Sequence, residues 1–211
     1  MLWCPTESKQ DYHSMNYLAH LHLADNSRTS LAGNLAGDFA KGNINQFAKE
    51  LQQGIWLHRQ IDKITDEHEI THELLTQFPQ SHRRIAPILM DLSFDYMLAQ
   101  YWEEYHSQPL NDFCQMAYQN ILKCECLPDN LKLIVPKMKH ENWLLAYQSR
   151  EGLNQAITGV SRRISKPELF IGATEVVEKL DVEIEIAFRT LYPQLMAYSR
   201  LLSRKTPAEY L

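Results

Sequence analysis

The chain has 211 residues, 45% of them hydrophobic and 22% charged, so it can bury one substantial core and is too apolar to be disordered. Glycine and proline are scarce, at 7 and 9 residues, which disfavours turn-rich sandwiches and barrels and points to helices. A net charge of −5 argues against a general nucleic-acid binder, and no run approaches the ~18–20 apolar residues of a membrane span.

The first fourteen residues, MLWCPTESKQDYHS, have neither the basic start nor the apolar middle of a secretory signal. From there helical periodicity predominates. Short apolar helices are predicted over 15–23 and 30–39, with Gly42 as the C-cap of the second, and a longer helix over 47–65. A short helix over 70–78 ends at Pro79. Residues 87–102 are apolar on almost every side and read as a buried central helix with Pro87 in its first turn. Helices follow over 110–122, 130–139, 142–147 and 152–164, with a loop near Lys166 and Pro167. Residues 174–202 read as one long helix that Pro193 kinks or splits. The expectation is an all-α fold, a single compact multi-helix domain of roughly eight helices. The cysteines Cys4, Cys114, Cys124 and Cys126 form no CxxC pair and read as reduced thiols, which suits a cytoplasmic protein.

Chemistry is sought where ionisable groups face inward. Six of the nine histidines fall between His20 and His82. At about 100° per residue, His58 and Asp62 share the core-facing stripe of their helix with Leu51 and Ile55, and Arg59 borders it. Asp91 and Asp95 stand one turn apart on the central helix. Asn34 with Asp38 and Asn16 with His20 are two further i, i+4 pairs, and His22 points away from His20. Carboxylates on so apolar a surface are costly unless a cation neutralises them. Imidazole and carboxylate converging from several helices is how helical proteins build metal sites, and a cysteine-free set suits Mn²⁺, Mg²⁺ or Fe²⁺ better than structural zinc. The alternatives are histidines satisfied within the core and salt bridges from Arg59, Arg83 or Arg84 to the central aspartates. His68 and His72 form an HxxxH pair, or a solvated first turn. Small basic clusters occur at Arg83–Arg84, at Lys132, Lys137 and Lys139, and at Arg162–Arg163 with Lys166. HRR at 82–84 offers a place for a phosphate at the start of the central helix.

MNYLAHLHLA at 15–24, GNLAGDFAKG at 33–42, GIWLHRQIDKITDEH at 54–68 and SHRRIAPILMDLSFDYMLAQYW at 81–102 together resemble the acyl carrier protein phosphodiesterase family. NWLLAY at 142–147 and GLNQAITGVSRRI at 152–164 extend the resemblance. It implies a cytoplasmic, all-helical, HD-like metal-dependent phosphohydrolase. Such an enzyme removes 4′-phosphopantetheine from the serine of holo acyl carrier protein, using Mn²⁺ or Mg²⁺. The implied metal ligands are His20, Asp38, His58, Asp62, Asp91 and Asp95, and the implied catalytic groups are His22, Arg59, His68 and Arg83. The acidic carrier protein would dock on the basic clusters. The family begins at the position of Met15, so 1–14 reads as an extra leader before a domain over 15–211. HD proteins carry adjacent His and Asp, whereas here Asp62 follows His58 by four residues. Two other functions suit the same residues: hydrolysis of a nucleotide or other small phosphodiester, and carrier-protein binding without cleavage.

Overall fold

A computed structural model describes residues 17–211. The leader over 1–14 and Asn16 lie outside the described residues. Those described form twelve α-helices and no strand, in place of the roughly eight expected. They are α1 (Tyr17–Ser27), α2 (Leu31–Ala36), α3 (Lys49–Glu67), α4 (Glu69–Gln77), α5 (Ala86–Gln100) and α6 (Trp102–Tyr105). After these come α7 (Leu110–Leu122), α8 (Asp129–His140), α9 (Trp143–Ala146), α10 (Arg150–Ser161), α11 (Ala173–Lys179) and α12 (Asp181–Arg204). The all-α expectation holds.

Local chemistry explains several boundaries. The Ser30 hydroxyl accepts from the Gly33 N–H at the start of α2, and Ser149 does the same for Gly152 at the start of α10. Pro87 sits in the first turn of α5, where its missing N–H costs nothing. The helix α5 has no polar face and packs against α1, α10 and α12, so it is the buried centre of the bundle. The helix α1 is enclosed by α12, α2 and α5, with Leu18, Leu21, Leu23 and Ala24 fully buried.

Two boundary expectations are corrected. The helix α2 ends at Gly37, and Gly42 instead closes a later turn with a left-handed φ of 82°. The segment 174–202 divides at Leu180, whose φ and ψ of −99° and 13° leave the helical region, while α12 runs on through Pro193. Asp181 and Glu183 favour a new helix start, because acids stabilise a first turn. At Pro193 one backbone bond is lost, but Leu191, Tyr192 and Leu195 are buried on either side and keep the helix whole.

The closest helix contact positions the site. A Cβ on Gly33 would lie 2.6 Å from the Leu51 carbonyl oxygen, and one on Gly54 would lie 2.5 Å from the Asn34 nitrogen. A Cβ on Gly37 would overlap the His58 ring. The glycines of GNLAG and GIWLH thus let the backbones of α2 and α3 touch. That contact brings Asp38, just past α2, against His58 on α3.

Candidate metal centre

Three helices or their ends deliver the centre: His20 from α1, His58 and Asp62 from α3, and Asp38 from the end of α2. His20 Nε2 lies 2.9 Å from Asp62 Oδ1, and His58 Nε2 lies 3.1 Å from Asp62 Oδ2. The two imidazoles stack with centroids 4.0 Å apart and planes at 29°. One ligand atom from each of His20, His58 and Asp62 can be chosen so that all lie within 4.8 Å of one another. Asp38 Oδ1 stands 3.6 Å from His58 Nε2. The i, i+4 reading of His58 with Asp62 was thus correct in geometry, and packing adds His20 and Asp38 to the pair.

Electrostatics show what this cluster lacks. Both oxygens of Asp38 are buried without a hydrogen bond, and so is His20 Nδ1. Burial, and then the charges of Asp62, Asp91 and Asp95, push the Asp38 carboxyl well above the usual carboxylate range. Asp62 goes the other way. Burial alone would raise it, but the His58 and His20 imidazoles beside it hold it well below the ordinary value. A divalent cation fits this donor set. It would neutralise Asp38, replace the protons shared between the imidazoles and Asp62, and find only nitrogen and oxygen ligands.

The cluster borders an open cleft of about 950 Å³ walled by the turn after α2 and by α3, α4 and α5. His58, Asp62 and Asp91 line the cleft. Its remaining polar wall includes Arg59, Lys63, Asp66, His72 and Arg84. Asp91 is close enough for its charge to act on Asp38. Thr71 adds a buried hydroxyl without a partner.

Other expected site residues are placed elsewhere or used differently. Asp95 caps α1: its Oδ2 accepts from the Leu18 N–H at 3.0 Å and its Oδ1 from the Ala19 N–H at 2.8 Å. Burial pushes its carboxyl up to about 8 even though these bonds pull it down. With both oxygens engaged by a helix N-terminus, Asp95 stands outside the ligand cluster. His22 faces an aromatic group on the other side of α1, with Nδ1 2.7 Å from the Tyr192 hydroxyl and its ring edge-on to Trp102. Burial, then the charge of His106, lowers it to about 4.

His68 caps α4, its Nδ1 accepting from the Ile70 N–H. Arg83 donates to the Thr76 carbonyl at the end of α4. The neighbours one turn and one residue onward, His72 and Arg84, are the ones that line the cleft. The sequence names both, His72 in HxxxH and Arg84 in HRR, but the roles fall to His68 and Arg83 there, although a histidine directly before a helix is a cap by position. Arg59 lines the cleft but spends its guanidinium on the Ala40 and Gly42 carbonyls, fastening the turn after Asp38. Within HRR, His82 is fixed between Ser81 and the Ile171 carbonyl, which leaves Arg84 as the member that faces the cleft. No disulfide occurs among the described cysteines.

Comparison with known proteins identifies the family. A family model described as acyl carrier protein phosphodiesterase matches residues 15–195. A protein named acyl carrier protein phosphodiesterase from Serratia proteamaculans is 32% identical over 195 residues, 88% of this chain and 98% of that one. Its namesake from Yersinia pestis is 33% identical over 185 residues, 86% and 96% of the two chains. One from Escherichia coli O157:H7 is 30% identical over 188 residues, 87% and 96% of the two chains. No solved structure matches the chain significantly. The class is therefore an all-helical enzyme, a phosphodiesterase with an imidazole–carboxylate cleft. The chain belongs to the acyl carrier protein phosphodiesterase family.

Proposed function

We propose that this chain hydrolyses the phosphodiester joining 4′-phosphopantetheine to the serine of holo acyl carrier protein, releasing 4′-phosphopantetheine and the apo carrier. The family supports the substrate. The observation that carries the reading is the convergence of two stacked imidazoles, Asp62 and the Asp38 carboxyl, which accepts no hydrogen bond, beside a cleft of about 950 Å³. We assign Mn²⁺ or Mg²⁺ to His20, His58, Asp62 and Asp38, with Asp91 on the cleft side. When held by these residues, such an ion would supply Lewis acidity toward the phosphoryl oxygens and make water nucleophilic at neutral pH.

Hydrolysis forms one P–O bond from water and breaks the P–O bond to serine, whose departing oxygen takes a proton. We assign that proton to His72, which lines the cleft wall and whose charge acts on Asp66. Arg84 and Lys63 balance the phosphate's charge. Arg59 keeps the turn after Asp38 in place. These cations, with Lys41 on the same rim, also receive the carrier's acidic surface, so association weakens with salt.

Among the described residues no helix is long and apolar enough to cross a membrane. A cytoplasmic location and kinship with HD phosphohydrolases belong to this same reading. The test is intact-mass analysis of holo carrier protein after incubation with the enzyme. Loss of the 4′-phosphopantetheine mass with Mn²⁺ and none with chelator supports it. An unchanged carrier under both conditions refutes it.

A further inference from the structure

The cleft leaves a second cavity unexplained. It measures about 420 Å³ and shares no lining residue with the cleft. NWLLAY and GLNQAITGVSRRI, the two segments to which the reaction gives no role, build most of it. Leu92, Trp143, Tyr147 and Val160 give it an apolar interior, while Lys137, Arg162 and Arg163 stand at its wall with Glu141 as the one acid.

Three features mark it as built for a ligand. Arg162 and Arg163 make no ion pair with a carboxylate among the described residues, in a protein whose net charge is −5. Arg163 is also held in place, its guanidinium lying over the Trp143 ring at 5.3 Å and interacting with the buried Tyr17 hydroxyl. The third feature is Gly159, which lines the cavity near the end of α10. A Cβ there would meet nothing within 4 Å, unlike Gly33, Gly37, Gly54 and Gly152, where neighbouring atoms crowd the position. Glycine is a poor helix former and no neighbour crowds this position, so a larger side chain here has room to project into the cavity. A pocket of this size with an apolar interior and a few convergent cations suits a small ligand carrying one anionic group.

We infer that this cavity is a second binding site, for a free small organic phosphate with an apolar body, seated against Trp143 with its phosphate on Arg163 and Arg162. The inference goes beyond the proposed reaction and stands or falls apart from it.

The test is calorimetric titration of the full chain in Mn²⁺ with 4′-phosphopantetheine, pantetheine and inorganic phosphate as probes. Wild type, Gly159→Leu, Arg163→Gln and Asp62→Asn are compared. A Cβ at Gly159 meets no neighbour and Arg163→Gln changes an exposed side chain, so at least one of Gly159→Leu and Arg163→Gln gives a folded protein by circular dichroism. The expected result is a 4′-phosphopantetheine site that survives Asp62→Asn within threefold. Gly159→Leu or Arg163→Gln should weaken it at least tenfold, and pantetheine and inorganic phosphate should each bind at least tenfold more weakly. No binding at millimolar probe overturns the inference. So does binding that both cavity variants retain, or binding that only Asp62→Asn removes, which places the probe at the catalytic centre. Carrier-protein cleavage is scored separately, so failure of this site leaves the reaction untouched and the reverse.

Discussion

Asp38→Asn separates a ligand carboxylate from a structural one. Asp38 Oδ1 and Asp62 Oδ2 lie 3.6 Å and 3.1 Å from the same His58 nitrogen, so they are at most ~6.7 Å apart. At an effective dielectric of about 20, two unit charges at that separation repel by roughly 2.5 kcal/mol. Asp91 and Asp95 add to this. Asparagine keeps the shape and removes the charge. Without metal, therefore, the variant should be more stable than wild type by about 2.5 kcal/mol at pH 8, the repulsion at the largest separation these distances allow. For a protein of this size that is a rise in Tm of roughly 5–10 °C. With Mn²⁺ the order should reverse. Metal at ~1,000 times Kd stabilises wild type by about 4.1 kcal/mol, and the variant, lacking one anionic ligand, gains much less. Differential scanning fluorimetry with EDTA and with a Mn²⁺ series reads both effects. A metal-free Tm that falls on substitution would show that Asp38 holds the fold together. Equal Mn²⁺ shifts in the two proteins would remove it from the ligand set.

His58→Ala should lower carrier-protein cleavage at least ~100-fold and abolish Mn²⁺ stabilisation, checked by intact mass and fluorimetry. His72→Ala should lower turnover by about 10²–10⁴ while leaving Mn²⁺ stabilisation intact, because it acts on the leaving group alone; His68→Ala, which removes only a helix cap, should cost less than tenfold. Gly54→Ala should destabilise by about 3 kcal/mol, because its Cβ meets the backbone of α2, and chemical denaturation would measure this. Metal-free stability should fall as pH rises from about 4 to about 8. Asp38 and Asp95 have folded-state values above the ordinary 3.8, Asp95 at about 8, so the folded protein binds more protons across that window. Asp62, held low, acts oppositely: its contribution is full above about pH 4 and is lost only below it. Tm measured with EDTA at pH 5 and pH 8 checks the slope, and a flat or rising profile contradicts it.

The sequence by itself determined that the chain is helical, where most helices lie, and which polar groups turn inward. A 3.6-residue period records the buried face of each helix, so His58 with Asp62, and the acids of α5, were visible as inward-facing pairs. It carries no information on what that face meets. Asp91 and Asp95 look equivalent on α5, yet one lines a cleft and the other accepts the first N–H groups of α1. His20 and His22 alternate on one short helix, and only packing against α3 on one side and α12 on the other sends the first to the centre and the second to Tyr192. In the same way, capping spends His68 and Arg83 on the ends of α4 and hands the cleft to His72 and Arg84. The tertiary structure decided these cases because a buried carboxylate or imidazole takes whichever partner the neighbouring helix presents, and that neighbour is distant in the chain.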